Sequence, residues 1–256
     1  MSEIMAETVC PKCGGTGWQV AERDGISGAE RCDCLLEGRA SRLEENAGIP
    51  PLYRNASLEN FLLPQDNPVA YRALGAVAND VRGYSREYPT GQKPGLLLIG
   101  EPGTGKTHLA VAALRRLIAR GFEGLFFDYQ NLLDRIRSGY DAASGSSDKE
   151  AYRSALEVEV LLLDDLGAHR VTDWVEDTVT SIITYRCNHR KAMIATTNLP
   201  DPDAGDRMVE RGEGVERVRY KTSLADRIGE RARSRLFEMC KVAPMPRVVD
   251  YRLRKR

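Results

Sequence analysis

Eight residues, Gly100-Glu-Pro-Gly-Thr-Gly-Lys-Thr107, match G-x-x-x-x-G-K-[ST] in full, and their surroundings decide what the match means. Upstream stands the short apolar run Gly95-Leu-Leu-Leu-Ile99. Downstream, Thr107–Arg120 repeats apolar residues at helical spacing. A loop with three glycines between a buried strand and a helix can curl until its N–H groups point inward, with the positive end of the helix behind them. That is a cradle for phosphate. The candidate nucleotide-binding residues are Gly100, Glu101, Pro102, Gly103, Thr104, Gly105, Lys106, Thr107 and His108. Lys106 is placed to reach the β- and γ-phosphates of ATP, and the Thr107 hydroxyl to ligate magnesium. The alternative, a glycine turn with no ligand, has the correct flanks against it.

Such a loop restricts the fold around it. From Gly95 onward strands and helices alternate: a strand at 95–100, a helix at Thr107–Arg120, a strand at 124–129, a helix at Gln130–Arg137, a strand at 159–167, a helix at Thr172–Arg190 and a strand at 192–199. Short, wholly apolar strands between helices predict an α/β fold with a central parallel sheet covered on both faces. Before it, 35–47 reads as a short helix ended by Gly48 and Pro50–Pro51, 49–66 as irregular, Asn67–Tyr88 as a helix and 89–94 as a turn-rich break. Gly139–Lys149 and 201–223 read as polar loops, Leu224–Met239 as a helix and Lys241–Val249 as a last strand.

The strand Val160-Leu-Leu-Leu ends in Asp164-Asp165, roughly 60 residues after the glycine loop. Parallel strands present their C-terminal ends to one edge, so these carboxylates meet the phosphate loop there. Asp164 is the expected magnesium ligand and Asp165 the residue that polarises the attacking water. Asn198, in Ala195-Thr-Thr-Asn198, stands at another strand end, where a neutral amide can orient water against the γ-phosphate. A turn asparagine is the bland alternative.

Four of the six cysteines fall in the first 34 residues, as Cys10-Pro-Lys-Cys13 and Cys32-Asp-Cys34. The first pair has the spacing of a zinc knuckle; the second is tighter. Four thiolates would hold zinc and fold a segment too small for its own core. Redox cysteines or an unstructured tail are the alternatives. Cys187 and Cys240 lie in apolar-periodic stretches and read as packed thiols.

Net charge is zero, yet residues 207–256 carry 15 basic against 7 acidic side chains. Such a block suits phosphates or an acidic partner, or is a solvated helix face. No apolar run approaches the roughly 20 residues of a membrane span. The N-terminus has no signal-peptide pattern, so a cytoplasmic location and no membrane partner are expected. The three histidines are scattered, and no Ser/His/Asp constellation suggests another hydrolase chemistry.

The segments 48–61, 96–112, 160–168, 195–200 and 234–252 together resemble the AAA+ ATPases, and within them the DnaC-type helicase loaders, close to the IstB-type transposition ATPases. The resemblance implies an AAA+ three-layer P-loop domain at 95–256, a helical linker at 48–94 that forms its N-terminal part, and a separate four-cysteine zinc module with its helix at 1–47. It implies ATP hydrolysis in the initiation of DNA replication, with a replicative DNA helicase and single-stranded DNA as partners and a homo-oligomer as the working form. A transposition helper ATPase, or a nucleotide-dependent adaptor with little hydrolysis, are the alternatives. By the same resemblance Asn198 is sensor 1, Arg235 the arginine finger that completes a neighbour's site, Arg231 its reserve, and Arg252 a sensor-2-like arginine. The resemblance gives the insertion 201–223 no role.

Overall fold

The computed structural model describes residues 10–14, 16, 18–23, 26–138, 147–205, 209–211 and 218–253. In chain order the elements are strands β1 (Trp18–Arg23) and β2 (Ile26–Arg31), helices α1 (Asp33–Asn46) and α2 (Pro68–Glu87), strand β3 (Gly95–Ile99), helix α3 (Lys106–Ala119), strand β4 (Gly124–Asp128), helices α4 (Tyr129–Ser138) and α5 (Ser147–Glu157), strand β5 (Val160–Asp164), helix α6 (Asp173–Asn188), strand β6 (Ala192–Thr197), strands β7 (Val209–Arg211) and β8 (Val218–Tyr220), helices α7 (Ala225–Ile228) and α8 (Glu230–Met239), and strand β9 (Cys240–Pro244).

Five strands make one parallel sheet in the order β4-β5-β6-β3-β9. Alternation along each strand splits the core into two layers. Leu96, Leu98, Val160, Leu162 and Ile194 face α2 and α3. Leu97, Leu161, Leu163, Met193 and Ala195 face α4, α5, α6 and α8. Strands buried on both faces need apolar residues on both, which is why they read as unbroken runs. The result is a three-layer α/β sandwich. Ala47, Ile49, Ala56 and Leu58 belong to the α2/α3 layer, so the irregular segment after α1 is packed core rather than a free linker.

Arg186 of α6 is fully buried and has no carboxylate partner among the described residues. Its guanidinium donates instead to the carbonyls of Ala155, Leu156, Val158, Glu159 and Ala192, pinning the end of α5 to the starts of β5 and β6. Burial pulls its pKa down to about 10.

The structure corrects several sequence expectations. Trp18–Arg23 and Ile26–Arg31, for which no strand was expected, pair antiparallel as β1 and β2. The polar loop expected to run to Lys149 gives way at Ser147 to α5; residues 139–146 lie outside the described residues. The insertion 201–223 contains a 3-10 turn at Pro202–Ala204 and the antiparallel pair β7–β8, where only loop was expected. The helix expected at Leu224–Met239 breaks at Gly229, whose φ of 81° a side chain would resist and whose missing Cβ leaves room for the Glu176 carboxylate. The last strand begins one residue earlier than expected, at Cys240, and stops at Pro244. Cys240 is buried as expected, and Cys187 is half-buried.

Candidate nucleotide site

The C-terminal ends of β5, β6 and β3 lie side by side, and the glycine loop leaves β3 to enter α3 at Lys106. Gly103 and Gly105 have φ of 72° and 93°. A Cβ on Gly105 would stand 2.6 Å from the Phe61 ring, and one on Gly103 would collide with the Asp250 carboxylate. The loop is therefore bounded by two distant segments, 57–61 and 246–253.

Lys106 is 5% exposed, and its Nζ donates to the Glu101 carbonyl at 2.8 Å. Burial draws its pKa down to about 8, against the pull of Asp165 and Asp164. The Thr107 hydroxyl donates to Asp164 Oδ1 at 3.0 Å, and the Thr196 hydroxyl donates to the same oxygen at 2.6 Å. Burial holds the Asp164 carboxyl above its ordinary value, with the Thr196 and Thr107 hydroxyls opposing and the Asp165 charge adding to the rise. Asp165 has φ of 55°, a left-handed conformation rare outside glycine, and its N–H donates to the Thr196 hydroxyl at 2.9 Å. Asn198 Nδ2 closes the array on Asp165 Oδ1 at 2.9 Å.

Thr107, Asp164, Thr196, Asp165 and Asn198 thus form one hydrogen-bonded chain across three elements. The sequence reading gave no part to Thr196, which holds the first acid's side chain and the second acid's backbone. Its signal was a threonine in a fully buried strand, where a hydroxyl needs a partner.

Two hollows meet the loop. One, of about 340 Å³, is lined by Lys106, Thr107, Asp165, Asn198, Tyr53 and Arg252. A second, of about 120 Å³, lies against Gly103–Gly105 with Phe61, His108, Val248 and Tyr251 on its wall. His108 touches both hollows, and its Nε2 lies 2.8 Å from the Ser57 carbonyl. The C-terminal segment crosses the loop: Tyr251 N–H donates to the Gly103 carbonyl at 3.0 Å, and Arg247 pairs with Glu101 at 3.5 Å.

Oxygen donors 3.0 Å apart, as in Thr107 and Asp164, match the edge of an octahedron about 2.1 Å in radius, which is what magnesium asks of its ligands. Arg235 is elsewhere, on α8, half-buried and paired with Glu238 at 2.7 Å. Arg231 is exposed and has no ion pair among the described residues. At the N-terminus Cys10, Cys13 and Cys32 bring their sulfurs within 4.8 Å of one another. Cys10 and Cys32 are 3.8 Å apart, the edge of a tetrahedron with zinc–sulfur bonds of about 2.3 Å. The Cys34 side chain lies outside the described residues.

The family model described as "IstB-like ATP binding protein" matches residues 84–206. The crystal structure of the DnaC helicase loader superposes with a TM-score of 0.60 at 30% identity, covering 77% of this chain and all of that one. The chain belongs to the DnaC-type helicase-loader family of AAA+ ATPases. The replicative helicase loader DnaC of Escherichia coli K12 is 25% identical over 204 residues, 77% of this chain and 80% of its own. YqaM of Bacillus subtilis is 26% identical over 180 residues; the match spans 67% of this chain and 55% of YqaM. The chain is thus an ATP-binding AAA+ ATPase whose relatives include replicative helicase loaders. Among the described residues no helix is long and apolar enough to cross a membrane.

Proposed function

We propose that this chain is an ATP-dependent helicase loader that acts in the initiation of DNA replication and binds a replicative helicase and single-stranded DNA. The observation that carries the reading is the hydrogen-bonded chain from Thr107 through Asp164, Thr196 and Asp165 to Asn198, at the mouth of the phosphate loop. The relatives named as replicative helicase loaders point it toward that task.

In this reading residues 100–107 wrap the phosphates of ATP, and Lys106 neutralises the β- and γ-oxygens. Thr107 and Asp164 hold magnesium, which, when bound, offsets phosphate charge. Asp165 accepts a proton from the attacking water and Asn198 orients that water. The hollow walled by Phe61, His108 and Tyr251 takes the base. Arg235, with Arg231 in reserve, serves the site of a neighbouring copy, so the working form is a homo-oligomer. Cys10, Cys13, Cys32 and Cys34 hold zinc, and the module they fold (residues 1–47) grips the helicase. The basic surplus after residue 207 supports contact with the DNA backbone.

The match to the IstB-like model favours a second reading, a helper ATPase for a transposase. Direct binding separates them. The full chain with ATP should capture the host's replicative helicase, and Cys10→Ser/Cys13→Ser should lose that capture while still binding an ATP analogue. Capture of a transposase and no helicase would favour the second reading.

A further inference from the structure

The segment that follows Asn198 is tied to α8 by a buried fork. Asp201 is 0% exposed, and its two carboxylate oxygens accept from Arg233 Nε at 2.7 Å and Nη2 at 2.6 Å. Asp203 adds its carboxylate to the same Nη2, and Asp201 also accepts from the Asp203 N–H at 3.0 Å. Arg233 lies over the Phe237 ring at 4.6 Å, which fixes the guanidinium plane. The Pro200 carbonyl accepts from the Leu224 N–H at 3.0 Å, so the entry to α7 is fastened to the same segment.

On its other side α8 buries Ala232, Leu236 and Met239 in one cluster with Val179, Ile182 and Ile183 of α6. Apolar contact fixes how far the helix stands from α6 and leaves it free to slide or turn. A planar fork on a carboxylate has one geometry and removes that freedom. Water cannot take over for Arg233, because Asp201 is closed to solvent and would be left charged with only the Asp203 N–H as partner.

We infer that Arg233 is a positioning residue: through Asp201 it locks α8, with Arg235 two residues on, to the strand end that carries Asn198, so that the amide facing this chain's own γ-phosphate and the arginine offered to a neighbour move as one piece. The inference rests on the reading of Arg235 as a trans-acting group and adds what sets its position. The path is short. Asp165 bonds Asn198, three residues lead to Asp201, Asp201 holds Arg233, and Arg235 follows two residues later in the same turn of α8. Loss of γ-phosphate in one site would thereby reach the arginine that completes the next.

The test uses the full chain with single-stranded DNA. Asp201→Asn/Arg233→Gln replaces the ion pair by two neutral amides and leaves no buried charge unpaired; circular dichroism and the unfolding midpoint check that it folds. Affinity for a fluorescent ATP analogue and KM should stay within about twofold of wild type, while kcat falls about tenfold. Arg233→Lys, which keeps the charge and loses the fork, should fall between. A merely structural pair would lower the midpoint and leave kcat of the folded fraction unchanged, which would overturn the inference. A second measurement isolates the neighbour. Arg235→Ala mixed with Lys106→Ala is the control, one chain bringing the phosphate loop and the other the arginine. Adding Asp201→Asn/Arg233→Gln to the Lys106→Ala chain should cut the regained activity about tenfold; equal rescue overturns the inference. If the control pair regains nothing, the trans-acting reading of Arg235 falls and the kcat measurement still decides: a loss at unchanged KM sustains the tie to Asn198, and no loss overturns it.

Discussion

Lys106 carries a pH signature that ATP binding should report. Its depressed pKa of about 8 means that it is charged near pH 7 and loses its proton as pH rises through that value. Phosphate binding needs the charge, so ATP affinity should fall by up to about tenfold between pH 7 and 9, one unit past the pKa. Lys106→Met should bind weakly at both, and titration of a fluorescent analogue measures the difference. Asp164 sets the other limit: its raised pKa makes magnesium-dependent binding weaken on acidification sooner than an ordinary aspartate would allow. Asp165→Asn should keep affinity and lose turnover, since an amide still takes the Asn198 bond and cannot take a proton. Arg186 acts on stability alone. Arg186→Met strands five carbonyls in the core and should cost about 3–5 kcal/mol of unfolding free energy in denaturant titrations, with ATP affinity of the folded protein unchanged. The residues proposed to meet the nucleotide could be named from the sequence because each stands in a short motif at a strand end. Arg186, Thr196 and Arg233 were not, because their partners lie some 30 residues away and no local spacing records them.

Elements with strong apolar periodicity were readable from the sequence, and those held by other means were not. The sheet strands and α2, α3 and α6 bury large aliphatic residues at regular spacing. Helix α5 buries Ala151 and Ala155, side chains too small to mark a face, and was read partly as loop. Strands β1 and β2 carry no aliphatic stripe in their sequence, and the thiols of Cys10, Cys13 and Cys32 cluster in the same N-terminal region. Elemental analysis should find one zinc per chain, and Cys10→Ser/Cys13→Ser should lose it while keeping ATP affinity; metal-free protein with freely titrating thiols would refute the zinc assignment. The tail 246–253, expected to finish the last strand and to carry a sensor-2-like arginine, leaves the sheet at Pro244 and sets a limit on the loop. Gly103→Ala should abolish ATP binding by forcing Asp250 and the loop apart, and the same fluorescent titration reads it.

At the scale of the whole molecule, one chain brings the glycine loop, two acids and an amide together, while Arg235 sits on α8 in a partly exposed pair with Glu238. A guanidinium released from such a pair can stabilise the charge on a neighbour's departing phosphoryl group, an effect worth about 10³–10⁵ in rate where it is attested. Arg235→Ala and Lys106→Ala, each inactive alone, should regain ATPase activity when mixed; full activity of Arg235→Ala by itself would instead move the role to Arg231. The activity proposed for the whole chain is ATP-controlled delivery of a helicase. Its most direct test is transfer of the host's replicative helicase onto circular single-stranded DNA, followed by pelleting or gel shift, with wild-type protein, Lys106→Ala and no protein. Helicase should be found on the DNA with wild-type protein and ATP, with a loss of about tenfold or more with Lys106→Ala. Equal loading in the presence and absence of the wild-type protein would contradict it.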